Sequence, residues 1–219
     1  MRPLAATLAI AALAIPGAAC GPKAPDYQSV WTTSSTTPAA ATTTTAPEKP
    51  VPLSEYLESI GVTGKQVAPD SLADLTVSIP TPPGWSRFTS PRISPETVMI
   101  SKGAKYPTAR LVVFRLRGDF DPAQVVKRGN DDAQLFENFK LLDSSTADFH
   151  GFPSSMIQGS YDLDGTRLHS FNRIVIPTGS SPDKQRYLAQ LTVTSLADQA
   201  VAQASGIEAI IRGFVVATK

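Results

Sequence analysis

Between Thr32 and Thr45 the chain reads Thr-Thr-Ser-Ser-Thr-Thr-Pro-Ala-Ala-Ala-Thr-Thr-Thr-Thr, ten of fourteen positions being Ser or Thr and none large and apolar. Such a stretch has nothing to bury, so the cost of ordering its backbone, roughly 1–2 kcal/mol per residue, goes uncompensated. Pro47, Pro50 and Pro52 stiffen its exit. It reads as a tether, either a plain spacer or an O-glycosylated stalk. The packed core must therefore come from residues 53–219. All nine Phe of the 219-residue chain lie there, and about 165 residues can enclose one core of ordinary size.

Upstream of the tether, Met1-Arg2 supplies a short positive start, and Leu4 to Ile15 is apolar or small except for Thr7. That run is too short for a bilayer span of ~20 residues but fits the apolar part of a secretory signal. Gly17-Ala18-Ala19-Cys20 follows, and Cys20 is the only cysteine of the chain. Small residues before a lone cysteine match a bacterial lipobox, in which the thiol is acylated and the leader is cut off before it. Gly17 stands where Leu or Val is usual; an ordinary signal followed by an incidental cysteine is the alternative. The division expected is 1–19 signal peptide, 20–52 lipidated cysteine and disordered tether, 53–219 a single globular domain.

Within that domain, Ser54 is placed to cap a short helix carrying Tyr56, Leu57 and Ile60 and ended by Gly61. Leu75–Ile79 alternates as a strand, broken by Pro80, Pro82, Pro83 and Gly84; Thr97–Ile100 is a second strand. Arg110–Arg117 puts Val112, Phe114 and Leu116 on one face. Asp121-Pro122 opens a helix expected to run to about Phe139. Pro153–Leu163 and Thr166–Ile176 flank Asp164-Gly165, a hairpin with a type I′ turn. Arg186–Thr194 is a further strand, and a last helix spans about Leu196 to Arg212 with Leu196, Ala200, Ala204, Ile207 and Ile211 as its apolar stripe. Helices do not alternate regularly with strands. The expected class is α+β, a mostly antiparallel sheet flanked by helices.

Chemistry is constrained by what the chain lacks. Lys and Arg total 20 against 19 Asp and Glu, which leaves no surplus of positive charge for nucleic acid. One cysteine, consumed by acylation, excludes an internal disulfide, a thiolate metal site and a catalytic thiol. Gly-x-Ser-x-Gly is absent, as are His-x-x-x-His spacing and glycine-rich phosphate loops, so no catalytic residue, metal ligand or cofactor is assigned. The two histidines, His150 in a turn entry and His169 on the hairpin, read as surface or turn residues. Arg167, His169, Phe171 and Arg173 share one strand face, which reads as solvated or as a headgroup- or partner-contacting surface. Trp85 with Phe88, and Phe149 with Phe152 and Met156, read as core packing or as the lining of an apolar ligand groove.

Gly21-Pro22-Lys23, Val51-Pro52-Leu53 with Tyr56-Leu57-Glu58-Ser59, Leu75 through Trp85, and Asp143 through Arg173 together resemble the LpqN/LpqT family of mycobacterial lipoproteins. That resemblance implies a PsbP-like fold, an antiparallel sheet sandwiched by helices, shared with a photosystem subunit and a Ran-binding Mog protein. Pro82-Pro83-Gly84-Trp85 is similar to a Pro-x-Gly-Trp run common in that fold. It also implies export, anchoring at the outer face of the cell membrane or in the cell envelope, and parts in envelope lipid traffic and host contact. The reading is a non-enzymatic accessory, membrane-held through Cys20, that binds a ligand such as an envelope glycolipid or docks a protein. The alternatives are a protein-interaction module without a small ligand, including host partners, and, third, a hydrolase.

Replacing the anchor tests the N-terminal assignment. Cys20→Ala is expected to appear in the medium or as uncleaved precursor on membrane fractionation; membrane retention with normal processing would reject lipidation at Cys20.

Overall fold

Asp164 and Gly165 both take positive φ, 50° and 71°, the turn geometry that matches the right-handed twist of a two-residue hairpin. They join β7 (Ser154–Leu163) to β8 (Thr166–Val175) in unbroken antiparallel register from Leu163↔Thr166 to Ser154↔Val175. The structure, a computed structural model, describes residues 49–219; the expected signal peptide, Cys20 and nearly all of the expected tether lie outside the described residues. Around the hairpin, β9 (Tyr187–Leu196) pairs with β8 and with β5 (Thr108–Arg117), and β6 (Lys140–Ser145) pairs with β7. Next to β5 lie β1 (Thr63–Val67) and, further along it, β4 (Val98–Ser101), which pairs in turn with β3 (Ser86–Arg87). All pairings are antiparallel, and the order is β3-β4-β5-β9-β8-β7-β6 with β1 beside β5. A separate ribbon joins β2 (Leu75–Ser78) to β10 (Val215–Thr218). The described residues form one compact unit.

Helices cover both faces, the α+β arrangement expected. On one face, α4 (Ala200–Arg212) and the β2–β10 ribbon pack Ile207, Ile210, Leu75, Val77, Phe214 and Val216 against Ala109, Leu111 and Val113 of β5 and Leu191 and Val193 of β9. On the other, α1 (Leu53–Ser59), α2 (Pro122–Val125) and the turn after it cover only one end of the sheet, with Leu53, Leu57, Val125 and Val126 over Leu116, Ile174 and Leu188.

Several expectations change. The helix after Asp121 is not continuous to Phe139: α2 ends at Val125, a 3-10 turn follows at Val126–Arg128, and α3 is only Asp131–Gln134. The cause is tertiary. A Cβ at Gly129 would sit 2.0 Å from Ser155 Oγ of β7, so the chain hugs the sheet there and departs from a straight helical path. Asp121 does cap, accepting from the Ala123 N–H at 2.9 Å. Ser54 does not: α1 begins at Leu53, whose N–H is bound at 3.1 Å by Asp132 Oδ1 from the segment packed against it. Ile60 is exposed, and on α4 the buried pair is Ile207 and Ile210. The strands β1, β6 and β10 carried no clear pattern in the sequence.

Two expectations follow. A Cβ at Gly206 of α4 would lie 2.6 Å from Nε1 of the buried Trp85. Gly206→Ala should therefore lower stability by about 1–3 kcal/mol in urea unfolding, although alanine favours the helix by about 1 kcal/mol. At Asp132, burial and then the Asp131 charge outweigh the Leu53 N–H and raise the carboxyl pKa. The folded state thus holds this proton more tightly, so the group's contribution is full at low pH and is lost as pH rises through the raised value. Asp132→Asn keeps the acceptor and should be at least as stable as the parent at pH 7, the difference closing as pH falls into the ordinary aspartate range. Asp132→Ala should lose about 1–2 kcal/mol.

Candidate functional site

Because α1, α2 and α3 cover only one end of their face, the sheet beyond them is open as a cleft of about 720 Å³. Its floor is the set of alternate residues that point away from α4. Gln190, Thr192 and Thr194 come from β9, Ser170 and Asn172 from β8, Thr108 and Arg110 from β5. Asn172 is buried at the centre. Its Oδ1 accepts from Gln190 Nε2 and from Thr192 Oγ1, each at 3.0 Å. With the oxygen doubly used, the Asn172 amide N–H groups have no partner among the described residues and are donors available to a ligand. Tyr161 of β7 stacks on Phe136 at 4.2 Å between centroids. Burial, then the neighbouring Tyr106, raises its hydroxyl pKa against the opposing Thr194 hydrogen bond and Arg110, so it stays a neutral donor at physiological pH.

Met99, Val112, Phe114 and Phe136 form apolar walls. Gln66 Nε2 donates to Thr97 Oγ1 at 2.8 Å at one side. Arg92 and Arg110 are exposed at the cleft margin. Asp132 is the one carboxylate in the lining, and its Oδ1 is engaged by the Leu53 N–H. The cleft thus offers neutral hydrogen-bonding groups from β8 and β9 on its floor, two arginines at its margin, and hydrocarbon or aromatic surface on its sides.

The residues singled out from sequence lie elsewhere. Trp85 and Met156 are buried in the core on the α4 side, and Phe149 and Phe152 pack against it. Phe149 stacks on Phe214 at 5.3 Å and on His150 at 4.1 Å. Phe88 is half-exposed beside β4, its N–H bound to the Met99 carbonyl. None of the five lines the cleft. Nor does either histidine: His150 is exposed in a turn at φ 52°, and His169 Nε2 lies 2.9 Å from Gln158 Nε2 on the α4-side face, where burial lowers its pKa. The Arg167–Arg173 face is less wet than its two arginines imply. Arg173 lies over Phe149 at 4.7 Å and Phe171 at 5.8 Å and is half-buried, which lowers its pKa. Arg167 is spent inside the fold, on the Asn138 carbonyl, Asp162 and Ser160.

Asn172, Tyr161, Gln190 and Thr192 were missed. For Gln190 and Thr192 the signal was present as polar residues alternating with Leu191 and Val193, but that pattern reads as an ordinary solvent face until the helices around it are placed; Asn172 and Tyr161 carried no such pattern.

The family described as Probable lipoprotein LpqN matches residues 49–217. The chain is 68% identical over 211 residues to a lipoprotein LpqT of Mycobacterium leprae (strain TN), covering 96% of this chain and 94% of that one. It is 65% identical over 219 residues to the LpqT of Mycobacterium tuberculosis (strain ATCC 25618 / H37Rv), covering 100% and 96%. Among solved structures, the crystal structure of LpqN involved in cell envelope biogenesis of Mycobacterium tuberculosis has the same fold at a TM-score of 0.63, with 20% identity over 74% of this chain and 95% of that one. By the family match and by these relatives, the chain belongs to the LpqN/LpqT family of lipoproteins.

Proposed function

We propose that this chain is an exported lipoprotein, anchored through Cys20, whose globular domain binds an amphiphile in the cleft, the polyol headgroup on the floor and the acyl chain along the walls. The observation that carries this reading is the Asn172-centred floor. A sugar presents hydroxyls that both donate and accept, and the floor meets them with neutral donors and acceptors already held in place by one another. The arginines of the lining, Arg92 and Arg110, are exposed at the margin, so the buried part of the floor itself meets a headgroup with neutral groups. The walls suit hydrocarbon, each buried CH₂ contributing about 0.8 kcal/mol. Binding in place of catalysis rests on the same lining, where the single carboxylate is engaged and no histidine is present. The involvement of LpqN in cell envelope biogenesis supports an envelope glycolipid as the natural ligand.

The test uses n-dodecyl-β-maltoside below its micelle concentration, followed by native mass spectrometry and calorimetry. One molecule per chain, bound saturably and more tightly than maltose alone, is expected. Asn172→Leu should weaken it about tenfold, the effect of losing one matched polar contact, with thermal unfolding still cooperative. Absence of saturable binding, or binding untouched by Asn172→Leu, rejects the cleft as the site. Trp85 emission is not a suitable reporter, because that ring lies on the α4 side of the sheet.

A further inference from the structure

At the end of the sheet, β6 carries large apolar side chains into solvent: Leu141 is 57% and Leu142 62% exposed, and in the preceding segment Leu135 is 48% and Phe136 44% exposed. Phe136 and Leu141 line one shallow cavity of about 380 Å³ with Phe139 and Ile157. Phe136 is also a wall of the ligand cleft, so the apolar edge and the cleft are continuous. Exposed Phe136 and Leu141 share this cavity, and Leu135 and Leu142, their chain neighbours, are also exposed; such a concentration on an envelope lipoprotein calls for a specific partner.

We propose that this edge docks the domain onto the lipid surface of the membrane that holds its anchor. Three features favour lipid. First, the expected anchor at Cys20 precedes the first described residue, Lys49, by 28 intervening residues, a chain whose root-mean-square reach is about 30 Å if flexible. That is the scale of a small domain, so the edge can turn to the bilayer. Second, β6 is poorly shaped to extend its ladder to another strand. Leu141 faces Gly159 while Asp143 faces Gln158, which leaves Leu142 as the extra residue of a bulge; bulges and edge charges such as Lys140 and Asp143 block edge-to-edge pairing of copies. Third, from Leu135 to Ser145 the segment carries one Lys against one Glu and one Asp, so charge attraction gives it no pull toward headgroups and contact is by apolar burial. The bound state is interfacial, with leucines in the acyl boundary and the edge backbone at headgroup level. The docking does not depend on a ligand in the cleft. When both operate, hydrocarbon leaving the bilayer at this edge meets Phe136 first.

The test uses the chain from residue 20 onward with Cys20→Ser, so no acyl group contributes, and zwitterionic phosphatidylcholine vesicles. Co-flotation should be nearly independent of salt between about 0.05 and 0.5 M, because screening removes only charge attraction. Leu141→Ser with Leu142→Ser should lower the vesicle-bound partition on the order of thirtyfold, from the lost burial of two leucines, with unchanged thermal unfolding. With Leu142→Cys as the sole thiol, an environment-sensitive dye should shift to the blue on vesicle addition, while the same dye at Val201→Cys, exposed on α4, should not. No co-flotation, equal shifts at both positions, or binding that vanishes with salt overturns the proposal. So does concentration-dependent dimerisation abolished by the serine pair, which assigns the edge to a second copy. Loss of maltoside binding by Asn172→Leu, measured without vesicles, reports on the cleft separately.

Discussion

Strand β5 is buried along one side and over part of the other, and the rest of the fold is arranged around that demand. Ala109, Leu111 and Val113 are fully enclosed on one face, while Val112 and Leu116 are buried on the other. An antiparallel strand normally leaves one face wet. Here α4 and the β2–β10 ribbon supply one lid, and α1 with the segment after Asp121 supplies half of another. The uncovered half is the cleft. Its position follows from the short reach of α2 and α3, which the close approach of Gly129 to Ser155 keeps pressed against β7.

The β8 and β9 part of the uncovered half is polar but uncharged, with Arg92 and Arg110 exposed at its margin, and this has energetic meaning. Isolated polar groups on a half-buried floor resist losing water to a ligand. Asn172, Gln190 and Thr192 already bond to one another, so their geometry is set before anything binds and the cost of ordering them falls on folding. Asp132 serves both parts of the molecule. It belongs to the cleft lining and also ties down the first N–H of α1, the helix that directly follows the tether sequence. The first element of the domain is thus held to the cleft wall.

How much could be read beforehand depended on how local each signal was. Asp164-Gly165 is a two-residue signal with one good solution, and the hairpin, with its full register, was legible. Leu75–Ser78 and the strand from Tyr187 were legible by alternation. The segment 122–139 was not, because its apolar spacing matches a helix while its path is dictated by contacts with β7, including Phe139 lying against Gly159. Strand β6 was invisible for a different reason: Lys140-Leu141-Leu142-Asp143 has no alternation, since one residue is extruded in a bulge. Trp85 with Phe88, and Phe149 with Phe152 and Met156, were legible as two apolar sets; all but the exposed Phe88 belong to or pack against the core on the α4 side.

By itself the sequence determined the α+β class and the position of the hairpin, because both depend on composition or on near neighbours in the chain. The family resemblance was likewise carried by residues read in order. Only the tertiary structure decided where a ligand could sit. Asn172, Gln190 and Tyr161 are unremarkable polar residues on strands, and they become a floor only because helices distant in sequence stop short of them. The same holds for Leu141 and Leu142, whose exposure is a property of the sheet order that puts β6 at an edge. Burial is a relation among segments far apart along the chain, and no local pattern of side chains encodes it.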